Sequence, residues 1–251
     1  MWVPMNPYGF SRTRNTPTTT SDDSEISSSF AFGSFFEDWL VRQEHYLYEL
    51  QSAAKNLHVT GKQDLEDLTD RVLSHYQQYY DEKSRIMQTD VSILFSPPWL
   101  TRLERAHLWV AGFKPGLVVE LSLGSLGGEL TQDQARRMEE VRITARMREK
   151  ELDNEMAQLQ ESLACPPLLG AARKRGKPLP LNWKVNEEEA AAATGAMRAR
   201  MEEAVVQADL LRVRIALGVM EILNPGQRVK FLTAVTQLLL RLRTCGLQRD
   251  A

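Results

Sequence analysis

The fold class of this chain is indicated most clearly by residues 131–163, which read TQDQARRMEEVRITARMREKELDNEMAQLQESL. Thr131 followed three residues later by Gln134 is a capping-box pattern, which opens a helix. Apolar residues then recur every three, four or seven positions, with charged residues between them. The apolar stripe comprises Met138, Val141, Ala145, Leu152, Leu159 and Leu163. This spacing predicts one long amphipathic helix that buries a single face.

The same helical spacing recurs on both sides of this stretch. A first helix is predicted to begin at the capping-box pattern of Ser34 and Glu37, with Gln43 as the polar exception on its apolar face. Its apolar positions are Phe36, Trp39, Leu40, Leu47, Leu50 and Ala54. A second helix runs from about 64 to 86. A second long amphipathic helix follows from about 187 to 223, and a last one ends near Gly246.

Short helices fill the middle of the chain. Thr101 and Glu104 form another capping-box pattern, which predicts an apolar helix over residues 103–111 that ends at Gly112. A further short helix is predicted over residues 115–123, and no stretch shows the alternation of a strand. The sequence therefore predicts an all-α fold, a single bundle of about six or seven helices that includes two long amphipathic helices.

Segments outside the helices set the predicted domain organisation. Residues 1–30 are rich in serine, threonine and proline and are predicted to form a disordered tail. One domain is predicted over residues 31–247, with a flexible, proline-containing internal loop at about 165–186 and a C-terminal tail over 248–251. No apolar stretch approaches the length that crosses a bilayer, so we predict no membrane span.

Composition excludes several functional classes. The chain has 31 Lys and Arg against 33 Asp and Glu, without the concentrated positive charge of a dedicated nucleic-acid binder. Cys165 and Cys245 offer neither a disulfide framework nor a zinc site, which favours the nucleus and/or the cytoplasm. The histidines lack metal-ligand spacing, and no nucleophile or phosphate-loop motif occurs. We therefore expect no enzyme, no catalytic residue and no metal.

Aromatic residues carry the candidate ligand site. Trp39, Trp99, Trp109 and Phe113 could line a pocket between helices, and the alternative is that they only pack the core. Trp109 and Phe113 are four residues apart and are predicted to share one helix face. The candidate apolar pocket is therefore assigned to Trp39, Trp109 and Phe113.

Four segments follow one another in a consistent order within residues 32–247. They are WLVRQ at 39–43, SHY at 74–76, the segment from Trp99 to Pro115, and QADLLR at 207–212. Together they resemble the DOG1 (Delay of Germination-like) domain of plants, which is also the C-terminal domain of TGA-type transcription factors. The family signature residues are Trp39, Gln43, His75, Tyr76, Trp99, Glu104, Arg105, Trp109, Gly112, Phe113, Pro115, Gln207 and Asp209.

The resemblance implies a non-enzymatic plant regulatory protein that acts through protein–protein interactions in transcriptional or hormone and seed-dormancy signalling. It implies PP2C-type phosphatases, or basic leucine-zipper (bZIP) proteins and co-regulators, as partners. Residues 1–30 lack the basic run and heptads of a bZIP module, so we expect no DNA binding by that route.

Two alternatives to this function remain, and the family also raises haem as a cofactor. One alternative is a small apolar-ligand sensor. The other is a developmental factor similar to the DOG1-domain protein of pollen aperture formation. No histidine follows His107, so the resemblance carries over no haem ligand, and an apolar ligand is the one candidate small molecule.

Overall fold

The computed structural model describes residues 21–163 and 187–250. Within these ranges the chain forms seven α-helices and two short 3-10 turns, and no β-strand. The helices are α1 (Ser21–Lys55), α2 (Lys62–Thr89), α3 (Arg102–Ala106), α4 (Gly116–Leu126), α5 (Gln132–Leu163), α6 (Glu187–Ile222) and α7 (Pro225–Asp250). The predicted all-α bundle is confirmed, and the two long amphipathic helices are α5 and α6, of 32 and 36 residues.

The helix α7 lies at the centre of the bundle. It packs against α1, α2, α3 and α4, while α5 and α6 pack along each other. The pair α5–α6 is antiparallel, because Gln134 bonds the carbonyl of Ile222 and Val141 contacts Gly218. The short α4 contacts α5, α6 and α7 and so joins the pair to the rest of the bundle. Part of the apolar face of α2 lies across from α4 and α6, in the region that forms the candidate site.

The helix α1 begins earlier than the sequence indicates. It starts at Ser21, so the Ser34–Glu37 pattern lies inside the helix and does not open it. Phe32 is buried, and its ring lies 4.5 Å from the ring of Trp99, which docks this early part of α1 on the bundle. Residues 21–30, predicted as tail, thus belong to α1. Residues 1–20 and the predicted loop 165–186 lie outside the described residues.

The helix α3 is shorter than predicted. It ends at Ala106, and the next residues form a tight turn in which Trp109 and Gly112 exchange backbone hydrogen bonds of 2.6 and 3.2 Å. The two central residues have left-handed backbone, with φ of 42° at Val110 and 60° at Ala111. A helix cannot continue through such residues, and a β-branched residue rarely adopts this conformation. The prediction of a helix over 103–111 with Gly112 as its cap is therefore wrong.

Capping boxes at the other helix starts agree with the sequence. The Thr101 hydroxyl accepts from the Glu104 N–H at 3.2 Å, and the Glu104 carboxylate accepts from the Thr101 N–H at 2.7 Å. The same pair of bonds joins Thr131 with Gln134, and Asn224 with Gln227. The capping boxes predicted at Thr101 and Thr131 are therefore confirmed.

The end of α7 differs from the predicted end near Gly246. The helix continues to Asp250, whose carboxylate accepts a 2.9 Å hydrogen bond from the Arg102 N–H at the start of α3. Gly246 is buried, and a Cβ atom placed on it would overlap the Thr101 hydroxyl. This glycine therefore allows α7 to approach α3 closely and does not end the helix. Across the described ranges, the helices are all too short or too polar to cross a membrane.

Candidate functional site

An apolar cavity of about 250 Å³ lies between α2, α4, α6 and α7. Leu73 on α2, Leu121 on α4, Leu217 on α6 and Leu239 on α7 line its walls. A dry apolar cavity of about 150 Å³ is enough to hold a molecule the size of benzene. This cavity is therefore large enough for a small apolar ligand.

Three charged residues that line the cavity form hydrogen bonds with one another. The Asp209 carboxylate accepts hydrogen bonds from Lys83 Nζ at 2.8 Å and from Arg212 Nη1 at 2.5 Å. The three side chains are almost fully buried, with 2%, 1% and 7% of Lys83, Asp209 and Arg212 exposed. Burial lowers the pKa of Lys83 to about 8, against the opposing effect of Asp209. We call this group the buried charge cluster.

Arg212 also holds the tight turn after α3. Its Nε donates to the Phe113 carbonyl at 2.7 Å, and its Nη2 donates to the carbonyls of Trp109 and Val110 at 2.5 and 2.9 Å. Hydrogen bonds from a charged donor are stronger than neutral ones, so they offset the cost of the left-handed backbone. A Cβ atom on Gly112 would lie 2.7 Å from Arg212 Cζ, which explains the glycine at this position.

The turn sends Trp109 and Phe113 to different sides. Phe113 lines the cavity, whereas Trp109 does not. Trp109 Nε1 donates to the Asp153 carboxylate on α5 at 2.6 Å. The two residues do not share a helix face as predicted, because the helix has already ended at Ala106. Pro115, at the start of α4, is buried and lines the cavity beside Phe113.

The signature residues of α1 and α2 form a polar and aromatic contact beside the cavity. The rings of Trp39 and His75 stack with centroids 4.6 Å apart, and Trp39 Nε1 donates to the His75 carbonyl at 3.0 Å. Gln43, fully buried, donates to the Tyr76 hydroxyl at 2.6 Å and to the Thr236 hydroxyl at 3.0 Å. Trp39 and Tyr76 also line the cavity, so these bonds fix one of its walls.

His75 has a perturbed acid–base equilibrium. Burial, with a smaller contribution from the nearby charge of Arg42, lowers the pKa of His75 to about 4. Its Nε2 is buried and has no hydrogen-bond partner among the described residues. The imidazole is therefore neutral at physiological pH.

The remaining signature residues around α3 join different helices. The Glu104 carboxylate accepts from Arg243 Nη1 at 3.0 Å, and the same nitrogen donates to the Trp99 carbonyl at 2.8 Å. Arg105 donates to the Pro97 carbonyl at 3.4 Å. Glu104 lines the cavity, whereas Trp99 and Arg105 do not. Trp99 thus belongs to the packing between α1 and the segment before α3.

The structure places two of the predicted signature residues, Gln207 and Asp209, apart from each other. It also adds Lys83, which the sequence analysis missed. Gln207 is exposed and bonds Glu203 at 2.6 Å, away from the buried charge cluster that holds Asp209. Lys83 was not predicted as a site residue. It lies four residues after Tyr79 and three before Ile86, on the apolar stripe of α2, and a lysine at such a position was the available signal. In the described ranges no three His, Cys, Asp or Glu residues are grouped to hold a metal ion.

Fold and site define an all-α domain built around a tight turn and an apolar cavity, and the comparisons assign this domain to a family. A family model described as DOG1, seed dormancy control, matches residues 46–122. The chain is 38% identical to Protein ZW2 of Arabidopsis thaliana, over 88% of this chain and 98% of that protein. It is 35% identical to Protein RESPONSE TO ABA AND SALT 1 of the same plant, over 86% and 95%. The chain therefore belongs to the DOG1-like family.

The same region occurs in transcription factors. The chain is 29% identical to Transcription factor TGAL1 of rice, over 90% of this chain but 47% of that factor. The resemblance read from the sequence is thus confirmed. TGAL1 is named as a transcription factor, and none of these relatives is named as an enzyme. The family supports a DOG1-type regulatory role for the protein.

Proposed function

We propose that this protein is a non-enzymatic regulator that binds another regulatory protein in transcriptional or hormone and seed-dormancy signalling. The shared region with TGA-type factors supports action in the nucleus. The name of the relative RESPONSE TO ABA AND SALT 1 supports a hormone-linked pathway. One surface of the molecule is suited to such a contact.

An exposed apolar stripe on α1 carries the proposal. Phe30, Val41 and Tyr48 are 81%, 66% and 73% exposed. At about 100° per residue, the three fall within about 20° of each other around the helix axis. Exposed apolar residues aligned on one face are typical of interaction sites, whereas scattered ones are ordinary. We call these three residues the α1 stripe.

Charge indicates the kind of partner. Asp38 and Glu44 are exposed and flank the α1 stripe on either side of the helix face, and one exposed basic residue, Arg42, lies next to Asp38. Acidic flanks complement a partner helix that is apolar on one side and basic at its edges. Zipper transcription factors contain long basic helices, so a bZIP protein of the TGA type is the proposed partner. A PP2C-type phosphatase is the alternative partner, and the experiment below tests it separately.

Direct binding with purified proteins tests the proposal. The full chain is titrated with a TGA-type bZIP factor and, separately, with a PP2C-type phosphatase by calorimetry. The double variant Val41→Asp/Tyr48→Asp is compared with Ile143→Asp/Met147→Asp, which changes exposed apolar residues of α5. We expect about tenfold or greater loss of bZIP affinity in the α1 variant alone.

Other results of the binding experiment would contradict the proposal or change its partner. Binding of neither protein contradicts the proposal, as does an equal loss in both variants. Binding of the phosphatase alone, with the same dependence on the α1 stripe, keeps the surface and contradicts the zipper partner. Circular dichroism checks that both variants remain folded.

The cavity supports a second candidate, a sensor of small apolar ligands. Trp39 and Phe113, two of the three residues predicted for such a pocket, line it. Titration with decanol, followed by displacement of a fluorescent apolar dye, tests this function. We expect saturable displacement, and its absence contradicts the sensor.

A further inference from the structure

Lys83 places a primary amine at the wall of the apolar cavity. It lines the cavity, yet only 2% of the residue is exposed. The outer surface therefore offers almost no route to the amine, and the cavity is the route of approach that we assign to it. The neighbouring walls are hydrocarbon, contributed by residues such as Val213 and Leu217 on α6. Such a position favours reaction with apolar molecules over water-soluble ones.

A carboxylate beside the amine supplies the counter-charge that an imine needs. Asp209 Oδ1 lies 2.8 Å from Lys83 Nζ, and Arg212 Nη1 donates to the same oxygen at 2.5 Å. A protonated imine has the same single positive charge as the ammonium that it replaces. Formation of the imine therefore leaves the charge balance of the buried cluster unchanged, which matters because an unpaired buried charge is costly.

We propose that Lys83 is a covalent, reversible binding site for apolar aldehydes that enter the cavity. The Lys83 ammonium gives a proton to Asp209, and the neutral amine attacks the carbonyl carbon. A C–N bond forms as the carbonyl π bond breaks, and Asp209 returns the proton to the carbonyl oxygen. The carbinolamine then loses water and leaves a protonated imine paired with Asp209. Water is the only product released, and hydrolysis restores the free lysine. The inference rests on the sensor function, because the aldehyde must first enter the cavity.

The acid–base state of Lys83 supports this chemistry. Only the neutral amine is a nucleophile, and burial keeps its pKa near 8, so a useful fraction is neutral in mildly alkaline buffer. The other charged groups that line the cavity are Glu104, Lys114, Asp209 and Arg212. Glu104 is itself bonded to Arg243, which leaves Asp209 as the carboxylate for Lys83.

Reductive trapping tests the inference on the full chain. The protein is incubated with decanal and cyanoborohydride at pH 8, and adducts are located by peptide mass mapping. We expect an added mass of the aldehyde less one oxygen atom at Lys83. Because only the neutral amine reacts, the adduct at Lys83 should form about tenfold or more faster than adducts at the exposed Lys62 and Lys150.

Two variants separate the cavity from the amine. Lys83→Arg keeps the positive charge but removes the reactive amine, so the fast adduct should disappear. Ala216→Phe fills part of the cavity and keeps Lys83, so the fast labelling should slow markedly. Labelling of Lys83 that is unchanged in Ala216→Phe would show a route outside the cavity and overturn the inference.

Decanol distinguishes the failure of this inference from the failure of the sensor function. Decanol enters the same cavity but cannot form an imine. If decanol binds while Lys83 labels no faster than Lys62, the covalent site is wrong and the sensor stands. If decanol does not bind and Lys83 is not labelled, both are wrong. Neither result bears on binding at the α1 stripe.

Discussion

Asp209 holds two buried cations that come from different helices. Replacement by asparagine keeps its shape but leaves Lys83 and Arg212 without a counter-charge. Breaking a buried ion pair costs about 3–5 kcal/mol, so we expect Asp209→Asn to lower the free energy of unfolding by about this amount. Urea unfolding measures it.

The control for this change is Asp153→Asn. Asp153 also accepts from two donors, Trp109 and Lys114, but its side chain is 47% exposed. We expect a loss below about 1 kcal/mol, because solvent screens exposed pairs. A similar loss in both variants would mean that burial does not determine the role of Asp209.

His75 makes stability depend on pH. Its pKa is about 4 when folded and about 6.5 when unfolded, so the unfolded chain takes up the proton first as pH falls. The stability that neutral His75 contributes is complete above pH 6.5 and is lost as the pH falls towards 4. The free energy of unfolding decreases by about 3 kcal/mol in total over this range. Urea unfolding between pH 4.5 and 7 measures this slope.

Two variants isolate the contribution of His75. His75→Phe keeps an aromatic ring against Trp39 and should show a shallower dependence on pH in this window. His45→Gln changes a side chain that is 73% exposed and should keep the slope of the native chain. An equal slope in the native chain and His75→Phe would rule out this account.

At the level of elements, the turn after α3 depends on the close approach of Arg212. Gly112→Ala would push the guanidinium away and disturb its bonds to three carbonyls. We expect a loss of about 2–4 kcal/mol, in the range of overpacking combined with a broken buried network. Thermal unfolding of the two proteins gives this difference.

Gly124→Ala is the matched control. Gly124 lies in α4, and a Cβ atom there meets nothing within 4 Å. Alanine is the better helix former by about 1 kcal/mol, so this change should be neutral or stabilising. The turn account fails if Gly112→Ala is tolerated as well as Gly124→Ala.

Helix starts illustrate what local sequence can and cannot predict. The boxes at Thr101 and Thr131 depend on residues three apart, and both are formed as predicted. Ser34 and Glu37 form a pattern of the same type, but it lies inside α1, because Phe32 packs on Trp99, a residue distant in sequence. A capping pattern therefore predicts a helix start only where no tertiary contact extends the helix.

At the scale of the whole molecule, long-range contacts account for most of what the sequence did not predict. Periodicity identified the buried faces of the long helices, because each face is a local pattern. The left-handed backbone at Val110 depends on Arg212, about a hundred residues away, so nothing near Val110 indicates it. Lys83 and Arg243 likewise acquire their roles only when α2 and α7 meet other parts of the chain.

The cavity leaves empty volume between α2, α4, α6 and α7. Ala216 lines the cavity, whereas Ala208, on the same helix, is fully buried in the core. Ala216→Phe should fill empty volume and raise the free energy of unfolding by about 1 kcal/mol, the gain typical of cavity filling. Ala208→Phe should instead cost about 3 kcal/mol, because a close-packed core does not accept extra volume. Urea unfolding of the two variants measures both effects, and dye binding should fall in Ala216→Phe because less volume remains. If both variants were destabilised equally, the space beside Ala216 would already be packed, and the cavity could not admit a ligand.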